Sequence, residues 1–132
     1  MAARYGLDIT HARNLLPPDI TTYFAECSPS VRDNLLRQLK TALMKCDACG
    51  VRFACVQLGL DRIEEQTLEQ DLAARIKLLQ ALMSVAEEHT IQVCVQVRCP
   101  RSFPDSKEWE YAGNLVHEVM HPRCRLAVNV VP

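Results

Sequence analysis

The chain has 132 residues, of which 48% are hydrophobic and 23% charged, as is typical of one soluble globular domain spanning residues 1–132. Fifteen basic residues against sixteen acidic ones give a formal net charge of −1, so charge provides no attraction to nucleic acid or to an anionic membrane. No apolar run approaches the roughly 20 residues that cross a bilayer, and the N-terminus lacks a secretory pattern, so we expect a cytoplasmic protein without a membrane partner.

The first half of the chain predicts two strands on either side of a helix. Residues 5–9 form a short candidate strand. A helix is predicted to open near Ser28 or Ser30, where a serine can cap its first turn, and to end at Gly50. Residues 51–58 are a mostly apolar run of strand length, so they are predicted to form the second strand.

The second half repeats the alternation. Thr67 and Gln70 are spaced as a capping box at the start of a long amphipathic helix. Residues 91–97 alternate strictly between aliphatic and other side chains, which predicts a strand. A third helix is predicted to end at Pro122, and residues 125–131 form the last predicted strand.

This order predicts an α/β fold with four parallel strands and three intervening helices, because strands joined through helices run parallel. Each strand has one aliphatic face and one small or polar face, whereas a doubly wound sheet is apolar on both faces. The pattern therefore favours a partial (half) TIM barrel. Four strands cannot close a barrel, so we expect a homo-oligomer or a missing barrel half.

Amide side chains lie near the carboxyl ends of three predicted strands, the edge at which parallel β/α proteins bind ligands. These are Gln57, Gln96 and Asn129, and Arg98 follows two residues after Gln96. Two interpretations stay open. The amides either fill a barrel interior and hydrogen-bond one another, or line a polar pocket that binds a sugar-like ligand, with Arg98 contacting an anion.

The same segments resemble the central part of the xylose-isomerase-like TIM barrels, which include sugar isomerases, sugar-phosphate epimerases and endonuclease-IV-type enzymes. Residues 56–59 resemble the family's V-H-x-G strand end, residues 93–96 a (V/I)-E strand and residues 126–129 an L-D strand. The resemblance implies about half of a TIM barrel, a sugar or sugar-phosphate ligand and a divalent metal (Mn, Mg, Co or Zn).

The departures from the family pattern concern the metal ligands. The family's His, Glu and Asp correspond here to Gln57, Gln96 and Asn129, each of which lacks the charge or the nitrogen that holds a metal. We therefore expect an isomerase- or epimerase-like domain with a degenerate or incomplete metal site and no cofactor of its own. The alternative is a non-catalytic oligomerising α/β module.

A second alternative is a zinc metallopeptidase. His117, Glu118 and His121 match the HExxH pattern, in which two histidines one helical turn apart share a zinc ion while the glutamate activates water. Pro122 follows at once and no third ligand is evident after it, which argues against this alternative. The seven cysteines are odd in number and several occupy predicted core positions, so we expect reduced thiols.

Overall fold

The computed structural model describes residues 11–12, 29–58, 60, 65–99 and 107–130. Strands and helices alternate within these ranges, as predicted, and the chain is an α/β protein. The elements are β1 His11–Ala12, α1 Pro29–Ala48, β2 Phe53–Val56, α2 Leu68–Glu88, β3 Gln92–Cys99, α3 Lys107–Val119 and β4 Cys124–Val130. No helix in these ranges is long and apolar enough to span a membrane.

The sheet is parallel throughout, and its strands follow the order β1–β2–β3–β4. Only three of these strands have ordinary length, since β1 is a two-residue segment paired with Phe53 and Ala54. The prediction of four strands is therefore only partly confirmed: three full strands are present. The strand predicted at residues 5–9 lies outside the described residues.

Each helix passes into the next strand through a residue in the left-handed backbone region. Gly50, Thr90 and Met120 have φ angles of 76°, 56° and 52°. At the first of these turns the Val51 N–H donates to the carbonyl of Cys46 at 2.8 Å, which is the hydrogen bond of a Schellman motif. The predicted helix end at Gly50 is therefore confirmed.

The predicted capping box at the start of α2 is wrong. Thr67 occupies the N-cap position, but its side chain makes no capping hydrogen bond. Its hydroxyl instead donates to the carboxylate of Asp71 at 3.0 Å. The Thr67 hydroxyl is therefore used as a donor to Asp71 and does not accept from a backbone N–H of the first turn, as a capping threonine does.

The hydrophobic core lies between the helices and one face of the sheet. Helical leucines pack there against the aliphatic side chains of β2 and β3, and the largest of these side chains are at most 1% exposed. The largest are Leu39 and Leu43 of α1, Leu79 and Leu82 of α2, Leu115 of α3, Val56 of β2, and Val93 and Val95 of β3. This one-sided core leaves the opposite face of the sheet to smaller and polar residues.

Candidate ligand-binding site

The face of the sheet away from the helices carries the polar residues. In β3, Val93, Val95 and Val97 are fully buried against the helices. The alternate positions, Cys94 and Gln96, therefore face the other way, because successive side chains of a strand point to opposite faces. Both are nevertheless buried, at 5% and 7% exposure. A polar glutamine is thus held away from water in the middle of β3, level with the carboxyl end of the neighbouring strand β2.

Gln96 is a buried residue of this face whose side-chain amide is unsatisfied. Neither its Oε1 nor its Nε2 atom has a hydrogen-bond partner among the described residues. A buried amide without partners costs free energy, about 1–3 kcal/mol for an unsatisfied group, and nearly all buried polar groups are paired. An unpaired amide level with the carboxyl end of β2 therefore indicates a position that a ligand can satisfy.

Gln92 provides an internal comparison, since it lies on the same face of the same strand, four residues earlier. Its amide nitrogen donates to the carbonyl of Pro122 at 3.0 Å, and its oxygen accepts from the guanidinium of Arg123 at 3.1 Å, once the amide is oriented to suit both partners. This glutamine has a structural role that ties β3 to the turn before β4. Gln96 has the same chemistry and no such partner.

The other predicted site residues lie at neighbouring positions. Gln57 is half-buried and directly follows Val56, the last residue of β2, which pairs with Val95. Gln57, just beyond the end of β2, and Gln96 of β3 therefore each directly follow one member of the register pair Val56–Val95. Arg98 of β3 and Asn129 of β4 are register partners. The side chains of Arg98 and Asn129 lie outside the described residues, so the structure brings these two together by backbone register.

Two thiols lie in the layer before the amides. Cys55 of β2 and Cys94 of β3 are register partners, and both are 5% exposed. Burial, together with the neighbouring Cys55, raises the pKa of the Cys94 thiol to about 11. A thiol with that pKa stays protonated at neutral pH, and only the thiolate is a nucleophile. The Cys94 thiol is therefore unreactive at neutral pH.

A buried arginine fixes the chain where it leaves β2. The Nε of Arg75 in α2 donates to the carbonyl of Leu58 at 2.8 Å, and its Nη1 donates to the carbonyl of Asp71 at 3.1 Å. The Arg75 side chain is 1% exposed, and the Asp71 carboxylate lies 3.7 Å from Nη1. Burial lowers the pKa of Arg75, an effect that Asp71 opposes. Arg75 therefore positions the segment that carries Gln57.

The sequence analysis did not predict this buried pair of Arg75 and Asp71. Asp71 and Arg75 are spaced four residues apart, in step with the buried Leu78 and Leu82 of the same helix. A charged pair on the buried row of an amphipathic helix is unusual, because charged residues are rarely buried unless they are paired. That spacing is the signal that could have indicated a buried ion pair.

The described residues at this edge do not fit a resident divalent metal. Gln57 and Gln96 offer neutral amide oxygens, whereas divalent cations gain most of their binding energy from carboxylates or, for zinc, from imidazole and thiolate ligands. The strands β2, β3 and β4 contain no Asp, Glu or His. Among the described residues, no group of three or more His, Cys, Asp or Glu side chains could hold a metal ion.

The HExxH segment does not adopt the geometry that its pattern requires. The helix α3 ends at Val119, before the predicted stop at Pro122, because Met120 turns into the left-handed region. His117 and Glu118 are exposed on the helix, while His121 lies beyond it. The Nδ1 of His121 accepts the N–H of Arg123 at 3.1 Å. The two histidines therefore do not share one helical face.

Comparison with known proteins identifies the fold. No family model and no curated protein matches the sequence. Among solved structures, the chain is similar to the 1.8 Å crystal structure of the IolI protein with a binding zinc atom, a xylose-isomerase-like TIM barrel protein, with a TM-score of 0.60 and 13% sequence identity. The match covers 93% of this chain and 53% of that protein. The chain therefore shares its fold with about half the length of that TIM barrel structure.

Proposed function

We propose that this domain binds a sugar or a sugar phosphate at the carboxyl end of its sheet, through amide side chains and without a resident metal. The observation that carries the proposal is the buried, unpaired amide of Gln96. The xylose-isomerase-like fold supports the location, because TIM-barrel proteins bind their ligands at the carboxyl ends of the strands. Gln57, Arg98 and Asn129 complete the proposed site.

The chemistry of the unpaired amide favours a neutral hydroxylated ligand. Gln96 needs a donor for its oxygen and an acceptor for its nitrogen at the same time. A carboxylate accepts hydrogen bonds but donates none, and an ammonium group donates but does not accept. A pair of adjacent hydroxyl groups does both, and every sugar carries such pairs. One glutamine can therefore bind two neighbouring hydroxyls of a sugar ring or chain.

The proposal concerns binding rather than turnover. Enolisation or epimerisation requires a base to remove a proton, and an Asp, Glu or His usually supplies it. None of these residue types occurs in β2, β3 or β4, and the Cys94 thiol has a pKa too high for this task. Arg98 is the one cationic residue within β3, and a guanidinium suits the phosphate of a phosphorylated sugar.

Calorimetric titration with a panel of pentoses, hexoses and their monophosphates tests the proposal. We expect at least one member to bind, and Gln96→Met to weaken its binding by about 5- to 100-fold, because two hydrogen bonds of about 0.5–1.5 kcal/mol each are lost. Gln80→Met is the matched control, since Gln80 is an exposed glutamine on α2. That variant should bind as the wild type does.

Two further titrations separate the parts of the proposal. Arg98→Met should weaken the binding of a sugar monophosphate but leave the binding of the unphosphorylated sugar unchanged. A chelator should leave all affinities unchanged. Absence of binding across the panel, or unaltered binding by Gln96→Met, would contradict the proposed site. Loss of binding on chelation would contradict the metal-free mode.

A further inference from the structure

The outer edge of β4 is open. This strand pairs with β3 from Cys124 to Val130, and none of the described residues pairs with its other side. An open edge of seven residues presents a row of backbone donors and acceptors that can pair with another strand. Natural edge strands are usually protected by charged side chains, especially lysine, by proline or by a bulge. β4 contains no lysine or proline, and Arg125 is its one charged residue.

The helix-side face of β4 is open as well. Leu126 and Val128 are 39% and 46% exposed, although their register partners in β3, Val95 and Val97, are fully buried. Among the three residues of this row whose side chains are described, only the first, Cys124, is covered, at 2% exposure. The apolar layer of the sheet therefore continues into solvent at its last strand, where a neighbouring structure would complete it.

We propose that β4 pairs antiparallel with β4 of a second copy of this chain, with Ala127 at the two-fold axis. The strand is self-complementary about this residue. In that register all seven residues pair, and Leu126 of each copy lies opposite Val128 of the other. Arg125, the only charged residue of β4, lies opposite position 129 rather than opposite its own copy, so no like charges meet.

This pairing explains both open features with a single contact. The edge hydrogen bonds are satisfied, and the two exposed aliphatic residues of each copy form one four-residue cluster on the helix side of a continuous sheet. An identical patch on both subunits is what a two-fold dimer requires. The small side chain of Ala127 at the axis allows the two strands to approach at the normal spacing of a sheet. The inference does not depend on the proposed sugar site.

Light scattering after size exclusion and native mass spectrometry test the dimer. We expect a mass about twice the 14.9 kDa of one chain. The double variant Leu126→Lys/Val128→Lys should be a folded monomer, as judged by its circular dichroism. Met44→Lys makes the same kind of change at a 55% exposed methionine of α1 and should remain dimeric. A monomeric wild type, or a dimer that survives the double variant, would overturn the proposal.

Cysteine crosslinking tests the register and does not depend on the charged variants. Directly opposite residues of antiparallel strands have Cα atoms about 4.5–5.5 Å apart, within the range of a disulfide. Ala127→Cys should therefore form an intermolecular 127–127 disulfide on mild oxidation with diamide, identified by peptide mapping. Arg125→Cys should give no 125–125 disulfide. The opposite result, or no crosslink with either variant, would overturn the antiparallel pairing.

Discussion

Replacement of Gln96 by methionine should make the ligand-free protein more stable. Methionine has nearly the length and volume of glutamine, so the change removes the buried amide without opening a cavity. The amide has no partner for either of its polar atoms within the part of the chain that the structure describes, and it is 7% exposed. Because an unsatisfied buried polar group costs about 1–3 kcal/mol, we expect the free energy of unfolding to rise by about that amount.

Urea unfolding followed by circular dichroism measures this effect. With slopes of about 1–3 kcal/mol per molar urea, as small domains show, the midpoint should rise by about 1 M with an unchanged slope. Gln92→Met should lower the midpoint, because Gln92 has partners in Pro122 and Arg123 that the variant would leave unpaired. The exposed Gln80→Met should change the free energy of unfolding by less than about 0.5 kcal/mol.

The pair of variants on β3 makes the reasoning refutable. Both glutamines lie on one face of one strand, so both variants make the same change in strand propensity, at a half-buried position for Gln92 and a buried position for Gln96. If Gln96→Met destabilised the protein by as much as Gln92→Met, the Gln96 amide would have partners in the folded protein. Gln96 would then have no unsatisfied hydrogen-bonding groups to offer to a ligand.

Three further predictions concern the surroundings of the site. Arg75→Met should lower the free energy of unfolding by about 3–5 kcal/mol, because it leaves Asp71 as an uncompensated buried charge. A smaller decrease in the double variant Arg75→Met/Asp71→Leu would confirm that the two residues are coupled, and an equal decrease would contradict it. Gly113→Ala should raise the free energy of unfolding by about 1 kcal/mol, since alanine favours the helix α3 and nothing lies within 4 Å of the added methyl group. Gly50→Ala should lower it by about 1 kcal/mol, because the backbone there has a φ of 76°. A change of the same sign in both variants would contradict these expectations. The pKa of Cys94 is raised to about 11 from an ordinary value of about 9, so its contribution to stability is fully present below pH 9 and is lost as the pH rises through 11. Cys94→Ala should therefore make the free energy of unfolding decline less steeply between pH 9 and 11. An unchanged slope would contradict the raised pKa.

The order of elements and their approximate bounds could be read from the sequence because local rules determine them. Hydrophobic periodicity predicted the three helices, and Gly50 ended the first because glycine tolerates the left-handed backbone at no steric cost. The parallel arrangement followed from the alternation itself. The strand predicted at residues 51–58 is shorter in the structure, where β2 covers Phe53–Val56. One reason is that the Leu58 carbonyl bonds to Arg75 rather than to a strand.

Long-range contacts limited what the sequence could show of the site. Alternation placed Gln92 and Gln96 on the same face, but it could not tell which of them has partners. That distinction depends on the turn at Pro122 and Arg123, about thirty residues later in the chain. Likewise, the HExxH spacing suggested a shared helical face, and only the backbone of Met120, at a φ of 52°, removes His121 from the helix.

The most direct test of the proposed function observes the Gln96 side chain itself. In a ¹⁵N-labelled sample, its amide protons give an assignable pair of NMR signals that Gln96→Met removes. We expect that saturating the protein with the tightest-binding sugar or sugar phosphate of the panel shifts the Gln96 amide signals and slows the exchange of these protons with water. The Gln92 amide signals should not shift. Binding that leaves the Gln96 signals unchanged would contradict the central claim.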